Sequence, residues 1–218
     1  MIDSKKSYEY YLEADRIALG KKRKEGFMVS LFFPDKVYQF QRYLRKLEYL
    51  TNCKKGLYWK LVRLSCYRRF KNLSEKLGFS IPLNSCGPGL SIAHIGPIVI
   101  NEGARIGANC RIHVCVNIGT AAGHKHLAPL IGDNVYIAPG VKMYGDIRIA
   151  NGVALSANSV VNKSFENEHM VVGGIPAKEI KEFDTKVTNI LATDLIEAGI
   201  DLKLIEGKAA IEANAFLK

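Results

Sequence analysis

Histidine is the side chain best suited to moving a proton near neutral pH, and two short segments place histidines where they can act. The first is Ser91-Ile92-Ala93-His94-Ile95-Gly96-Pro97-Ile98-Val99-Ile100. An imidazole with an ordinary pKa of about 6.5 is largely neutral at pH 7 and can take a proton from a hydroxyl or an amine. His94 falls one hexad before Ile100, so a strict six-residue register sends it inward, where an unpaired imidazole is costly. The Gly96-Pro97 pair argues that the chain is distorted there and that His94 lines a crevice instead. The second segment, Gly119 to Pro129, holds His124, Lys125 and His126. It reads as a loop that reaches over a neighbouring surface, or as a solvated loop whose histidines are incidental.

What must position these residues is a six-residue beat. Ile100, Ile106, Ile112 and Ile118 keep it, and Ile131, Ile137, Met143, Ile149, Leu155 and Val161 resume it. Small or branched residues such as Ala104, Cys110, Val116 and Val135 stand two places before each beat. A period of six fits neither a helix nor an ordinary hairpin sheet. It fits stacked coils whose aliphatic side chains form one continuous core. The beat is interrupted once, because the step from Ile118 to Ile131 exceeds two hexads by a single position. The excess extrudes the Gly119–Pro129 loop.

The 218 residues, 48% hydrophobic and 24% charged, suffice for one substantial core and a smaller appendage. No apolar run approaches the roughly 20 residues that cross a bilayer, and the start lacks the apolar middle of a secretory signal. A cytoplasmic location follows as an expectation. The five cysteines, Cys53, Cys66, Cys86, Cys110 and Cys115, form no CxxC pair. Reduced, mostly structural thiols are expected, with Cys110 packed in the coil core.

The net charge of +10 sits at the front: residues 1–80 hold 19 Lys and Arg against 8 Asp and Glu. Residues 1 to about 30 read as a loosely amphipathic, basic lead-in that closes with an exposed Gly20–Gly26 loop. Phe40, Tyr43, Leu44, Leu47 and Leu50 then follow helical spacing, with Arg42, Arg45, Lys46 and Glu48 between them. Leu57, Leu61, Leu64 and either Tyr67 or Arg68 mark a second helix, which Gly78 ends. The pair docks on the body or on a neighbouring subunit, or else rests as a basic amphipathic surface on anionic lipid. Residues 1–80 are thus a basic α-helical segment and 81–180 the repeat body. Residues 181–218 form a tail, helical in composition, that caps the body or makes a subunit contact.

Three stretches, GPGLSIAHIGPIVINEGARIGANCRIHVCVNIGT, APLIGDNVYIAPGVKMYGDIRIANGVALSANSVV and VVGGIPAKEI, together resemble the hexapeptide-repeat acyltransferases. The likeness is to the serine acetyltransferase branch and to related O-acetyltransferases of capsule and exopolysaccharide clusters. It implies a mainly β fold: a left-handed parallel β-helix with an α-helical front and a short helical tail. It further implies a homotrimer that binds acetyl-CoA between subunits, with no metal and no nucleic acid. His94 matches the general base that activates an acceptor hydroxyl for direct attack on the thioester. Gly119 and Thr120 match the opening of the loop beside the thioester, and Ala138 and Ala157 match small corner residues along the pantetheine arm. Gly174, Pro176 and Lys178 match the closing motif near the nucleotide, where Lys178 offsets phosphate charge.

The departures are as informative. The acid that orients the family's base stands well upstream of it, at the place this chain gives to Phe79, and the acid just before the base is Ala93. A zwitterionic serine acceptor is thereby put in doubt. Glu102 stands at a matching place after the base, as a supporting acid or a solvated corner. His126 can replace a family loop histidine whose strict position is Ala128. His113, one coil plus one residue after His94, is either a neighbour of the site or solvated. The expected activity is acetyl-CoA-dependent O-acetyl transfer to serine or to a glycan precursor, the latter in polysaccharide biosynthesis at the inner membrane face. The alternatives are N-acetylation of a nucleotide-linked amino sugar, and a non-catalytic or zinc-binding β-helix using His94, His113 and His126.

Overall fold

The computed structural model describes residues 1–23, 34–124 and 126–217. The end of the expected Gly20–Gly26 loop and Lys125 therefore lie outside the described residues. From Phe79 onward the chain winds as a left-handed parallel β-helix with three faces. One face stacks β1 (Phe79–Ser80), β3 (Ile98–Ile100), β6 (Val116–Gly119), β9 (Lys142–Tyr144) and β12 (Val160–Val161). A second stacks β4 (Arg105–Ile106), β7 (Leu130–Ile131) and β10 (Arg148–Ile149). The third stacks β2 (Ser91–Ile92), β5 (Arg111–Ile112), β8 (Tyr136–Ile137), β11 (Ala154–Leu155) and β13 (Met170–Gly174), and ends on β14 (Ala177–Glu182), antiparallel to β13.

Each hexad contributes two inward residues, the beat and the residue two before it. Ala104 and Ile106, Cys110 and Ile112, Val135 and Ile137, and Val153 and Leu155 are all buried. Equivalent side chains lie one strand spacing apart, so apolar surface is hidden by its own copies along the stack. Asn109, Asn134 and Asn158 turn corners at positive φ, a conformation that Asn tolerates better than most L-residues.

The front segment forms α1 (Lys5–Ala18), α2 (Lys36–Cys53) and α3 (Leu57–Leu77). Phe40, Leu44, Leu47 and Leu50 of α2 are buried, as their spacing requires. Phe40 stacks on Phe70 at 5.1 Å and meets Phe79 edge-on at 5.0 Å, which fastens α2 and α3 to the first coil.

The stripe read on α3 does not dock on the body: Leu57, Leu61 and Leu64 are 74%, 62% and 64% exposed, while Cys66, Phe70 and Leu77 face the body. The helix is apolar on two sides, and the side carrying Phe70 wins because it completes the aromatic cluster. Arg45 and Glu48, charged residues between the apolar positions of α2, are wholly buried. Arg45 is bonded to Asp15 of α1 at 2.8 and 3.2 Å and to Glu48 at 3.1 Å, and it donates to the carbonyls of Cys86 at 2.8 Å and Gly87 at 2.6 Å. Burial works against its charge, but the Asp15 and Glu48 carboxylates outweigh that and hold the guanidinium ionised.

Within the lead-in, α1 is a helix with a buried inner face. Ala14, Ile17 and Ala18 share a small second core with Ile190, Leu195, Ile205 and Ala213 of the tail. The tail, with short helices α4 (Ala192–Glu197) and α5 (Ala210–Asn214), runs back along the coils. Asn189 donates to the carbonyls of Asn109, Asn134 and Val135, and Asn109 donates to Thr193 at 2.6 Å. It thus clasps two coil corners.

Candidate active site

The distortion at His94 is an enlarged corner. Ser91 pairs with Arg111, 20 positions further on, whereas Ile98 pairs with Val116, 18 positions further on. The difference is two positions, and the corner between β2 and β3 holds them. Residues 93–97 fill the place that 113–115 fill in the next coil. Gly96 bends back at φ 145 against Val114, where a Cβ would lie 3.1 Å from the valine side chain. The insertion lifts His94 out of the core register, and its side chain is exposed.

His113 lies one coil on, its ring 5.7 Å from that of His94 and 5.1 Å from Tyr136, which it meets edge-on. His113 is half-buried, and burial, with smaller contributions from the charges of Arg111 and His94, depresses its pKa to about 4. It is therefore a neutral imidazole across the physiological range. Its Nε2 is buried without a hydrogen-bond partner, and a native structure rarely leaves such an atom unused.

From this pair a column of small residues descends the third face. The amide of Ala93 donates to the Ile112 carbonyl at 3.0 Å, and that of His113 to Ile137 at 3.1 Å. Ala138 donates to Leu155 at 3.0 Å and Ser156 to Val172 at 2.8 Å. Ala93, His113, Ala138, Ser156 and Gly173 are thus stacked equivalents. A Cβ on Gly173 would sit 2.9 Å from the Ser156 side chain and 3.0 Å from Ile180, so only glycine fits there without displacement. Ala138 is buried, while Ala157 and Gly174 beside this column are exposed. Pro176 and Lys178 are exposed on the hairpin that closes it. The small side chains leave the backbone accessible to an extended ligand, as a close approach demands.

The remaining candidates stand apart. Gly119 ends β6 opposite Tyr144, and Thr120 follows it at the mouth of the extruded loop. Glu102 is exposed in the corner before β4, where its backbone carbonyl takes a bond from Arg105. His126 is exposed in the loop, which Ala121 and Leu127 close with a 2.9 Å backbone bond. Among the described residues, no hydrogen bond or ring contact joins Glu102 or His126 to the His94–His113 pair. Nor do three or more His, Cys, Asp or Glu side chains gather among them closely enough to hold a metal. Phe79, at the place of the family's orienting acid, is spent on the aromatic cluster with Phe40.

Sequence reasoning missed the groups that hold the strand leading to His94. β2 is the edge of its sheet, yet its backbone is satisfied. Gln41 of α2 donates to the Leu90 carbonyl at 2.6 Å and accepts from the Ile92 amide at 3.3 Å. Asp15 accepts from the Leu90 amide at 2.9 Å. The Gln41 amide thus acts as a surrogate strand. Polar residues on the inner side of an otherwise apolar helix stripe are the signal that points to such a role.

Comparison with known proteins agrees with this architecture. The family model described as bacterial transferase hexapeptide (six repeats) matches residues 128–163. Over 104 residues the chain is 40% identical to a serine acetyltransferase of Staphylococcus aureus, covering 46% of this chain and 47% of that one. It is 34% identical to the serine acetyltransferase of Buchnera aphidicola over 111 residues, covering 50% and 42%. The chain thus spans about half the length of these relatives. Among solved structures, Neisseria gonorrhoeae serine acetyltransferase in complex with serine superposes with a TM-score of 0.63 at 25% identity, over 82% of this chain and 71% of that one. The Brucella abortus enzyme in complex with coenzyme A gives 0.62 at 22%, over 82% and 70%. The chain thus carries the hexapeptide repeat over residues 128–163 and shares the fold of the serine acetyltransferases to which it is similar.

Proposed function

We propose that the protein is an acetyl-CoA-dependent O-acetyltransferase in which His94 is the general base. The observation that carries this reading is the enlarged corner, which sets an exposed imidazole at the head of a column of small residues. In the reaction His94 takes the proton of an acceptor hydroxyl as the oxygen attacks the thioester carbonyl. The tetrahedral intermediate collapses with cleavage of the carbon–sulfur bond, and the proton passes from His94 to the departing thiolate. Backbone N–H groups at the coil corners are the fixed donors suited to the developing oxyanion. Ala138, Ala157 and Gly174 line the path for the pantetheine arm, with Lys178 toward the phosphates.

The relatives named serine acetyltransferase make serine the first acceptor to test. Phe79 and Ala93, which replace two acids of that family, favour a neutral hydroxyl such as that of a glycan precursor. A homotrimer, with the Gly119–Pro129 loop completing a neighbour's cleft, and a place in cytoplasmic polysaccharide biosynthesis belong to the same proposal. The test is thiol release from acetyl-CoA with serine, nucleotide sugars and glycan precursors offered in turn. His94→Ala is expected to lower turnover by about 10²-fold or more. An unchanged rate in that variant would sink the mechanism even if the activity were real.

A further inference from the structure

We propose that the outward face of α3 docks on an anionic lipid bilayer. Leu57, Leu61 and Leu64 stand on one side of the helix at spacings of four and three, and Tyr58 and Tyr67 extend the exposed surface. A solvated helix has no need of three such leucines in a row. Beside them opens a groove of about 480 Å³ between α2 and α3, walled also by Leu47, Thr51 and Leu83. The face is apolar and has depth.

Its rim is basic. Residues 54–77 hold eight Lys and Arg against one acid, Glu75, near the far end of the helix. Lys60 and Arg68 are exposed beside the leucines, and Lys60 and Arg63 help to wall the groove. At the start of the helix the Lys54 ammonium lies 5.0 Å from the Trp59 ring and 5.2 Å from that of Tyr49.

These features choose among occupants. A second copy related by a two-fold axis would set one basic rim against another. Nucleic acid would answer the charge and leave the leucines in water. An anionic bilayer meets both, with acyl chains against the leucines and headgroup phosphates against the Lys and Arg. The contact lies in the plane of the surface, since among the described residues no helix is long and apolar enough to cross a membrane. Docking of this kind is independent of the acetyl-transfer reading.

The test is flotation of the full chain with mixed phosphatidylglycerol–phosphatidylcholine vesicles and with phosphatidylcholine alone. Binding is expected to the mixed vesicles only, weakened as salt rises from about 0.1 to about 0.5 M. K60E/R68E and L61E/L64E alter exposed positions alone, so both should melt like the wild type. Each is expected to lower the partition coefficient by about tenfold or more. No binding to the anionic vesicles, or equal binding by wild type and both variants, overturns the proposal. So does a smaller particle in sedimentation of L61E/L64E without vesicle binding by the wild type, which would make the face a contact between copies.

Discussion

Replacing Gln41 with leucine tests whether a helix side chain holds the strand that leads to the candidate base. Leucine has nearly the volume of glutamine, so the buried position stays filled and only the polar partnership is lost. The Leu90 carbonyl and the Ile92 amide, bonded to Gln41 at 2.6 and 3.3 Å, would then be buried with nothing in its place. Each stranded group costs about 1–3 kcal/mol. The two together give about 2–6, of which the more favourable burial of leucine returns roughly 1–2 kcal/mol. A net loss of about 2.5 kcal/mol, the middle of that range, is expected. The assay is urea unfolding followed by far-ultraviolet circular dichroism at fixed protein concentration, with amide exchange at Ile92 as the local readout. Exchange at Ile92 should accelerate more than at Ile112, the equivalent residue one coil further in. Because His94 is two residues beyond Ile92, turnover should fall as well. A loss under about 1 kcal/mol with Ile92 protection unchanged would refute the surrogate-strand account.

Two further outcomes follow from the site. His113 has a folded pKa of about 4 against an ordinary 6.5, so in between the unfolded chain binds more protons and stability falls with the pH. The difference in stability between wild type and His113→Asn should be constant above pH 6.5 and change progressively down to about pH 4; a flat difference throughout would show that the ring is not shielded. Gly173→Ala places a methyl group 2.9 Å from Ser156, and about 1–3 kcal/mol of overpacking is expected in thermal or urea unfolding. Ser156→Gly in the same chain should recover part of that loss, and no recovery would mean that the strain lies elsewhere.

The coil core was legible because its information is local. Residues such as Cys110 and Ile112 reveal their burial through a repeat of six, and the faults at His94 and at Gly119–Pro129 show as departures from it. The size of the first fault was not legible, because it emerges only from pairing Ser91 with Arg111 and Ile98 with Val116. The front helices were harder for another reason. Helical spacing says which positions share a face, but α3 carries apolar residues on two faces, and only the arrival of Phe40 and Phe79 decides between them. The burial of Arg45 and Gln41 was not legible, since their partners Asp15, Cys86 and Leu90 lie far away along the chain. Phe79 and Ala93 could be seen to depart from the family pattern, yet Phe79's place in the aromatic cluster had to come from the fold.

The third face also works as a graduated scale. From β2 to β13 there are four divisions, about 19 Å in all, with the His94 corner at one end and the closing hairpin at the other. The division from β8 to β11 is a plain coil of 18 residues, free of the enlarged corner and of the extruded loop. Removing or duplicating that coil would therefore change the span between the two ends by about 4.8 Å and leave each remaining strand with a partner of the same kind. A scaffold of this sort can be fitted to a longer or shorter donor by counting coils, without redesigning the residues at either end.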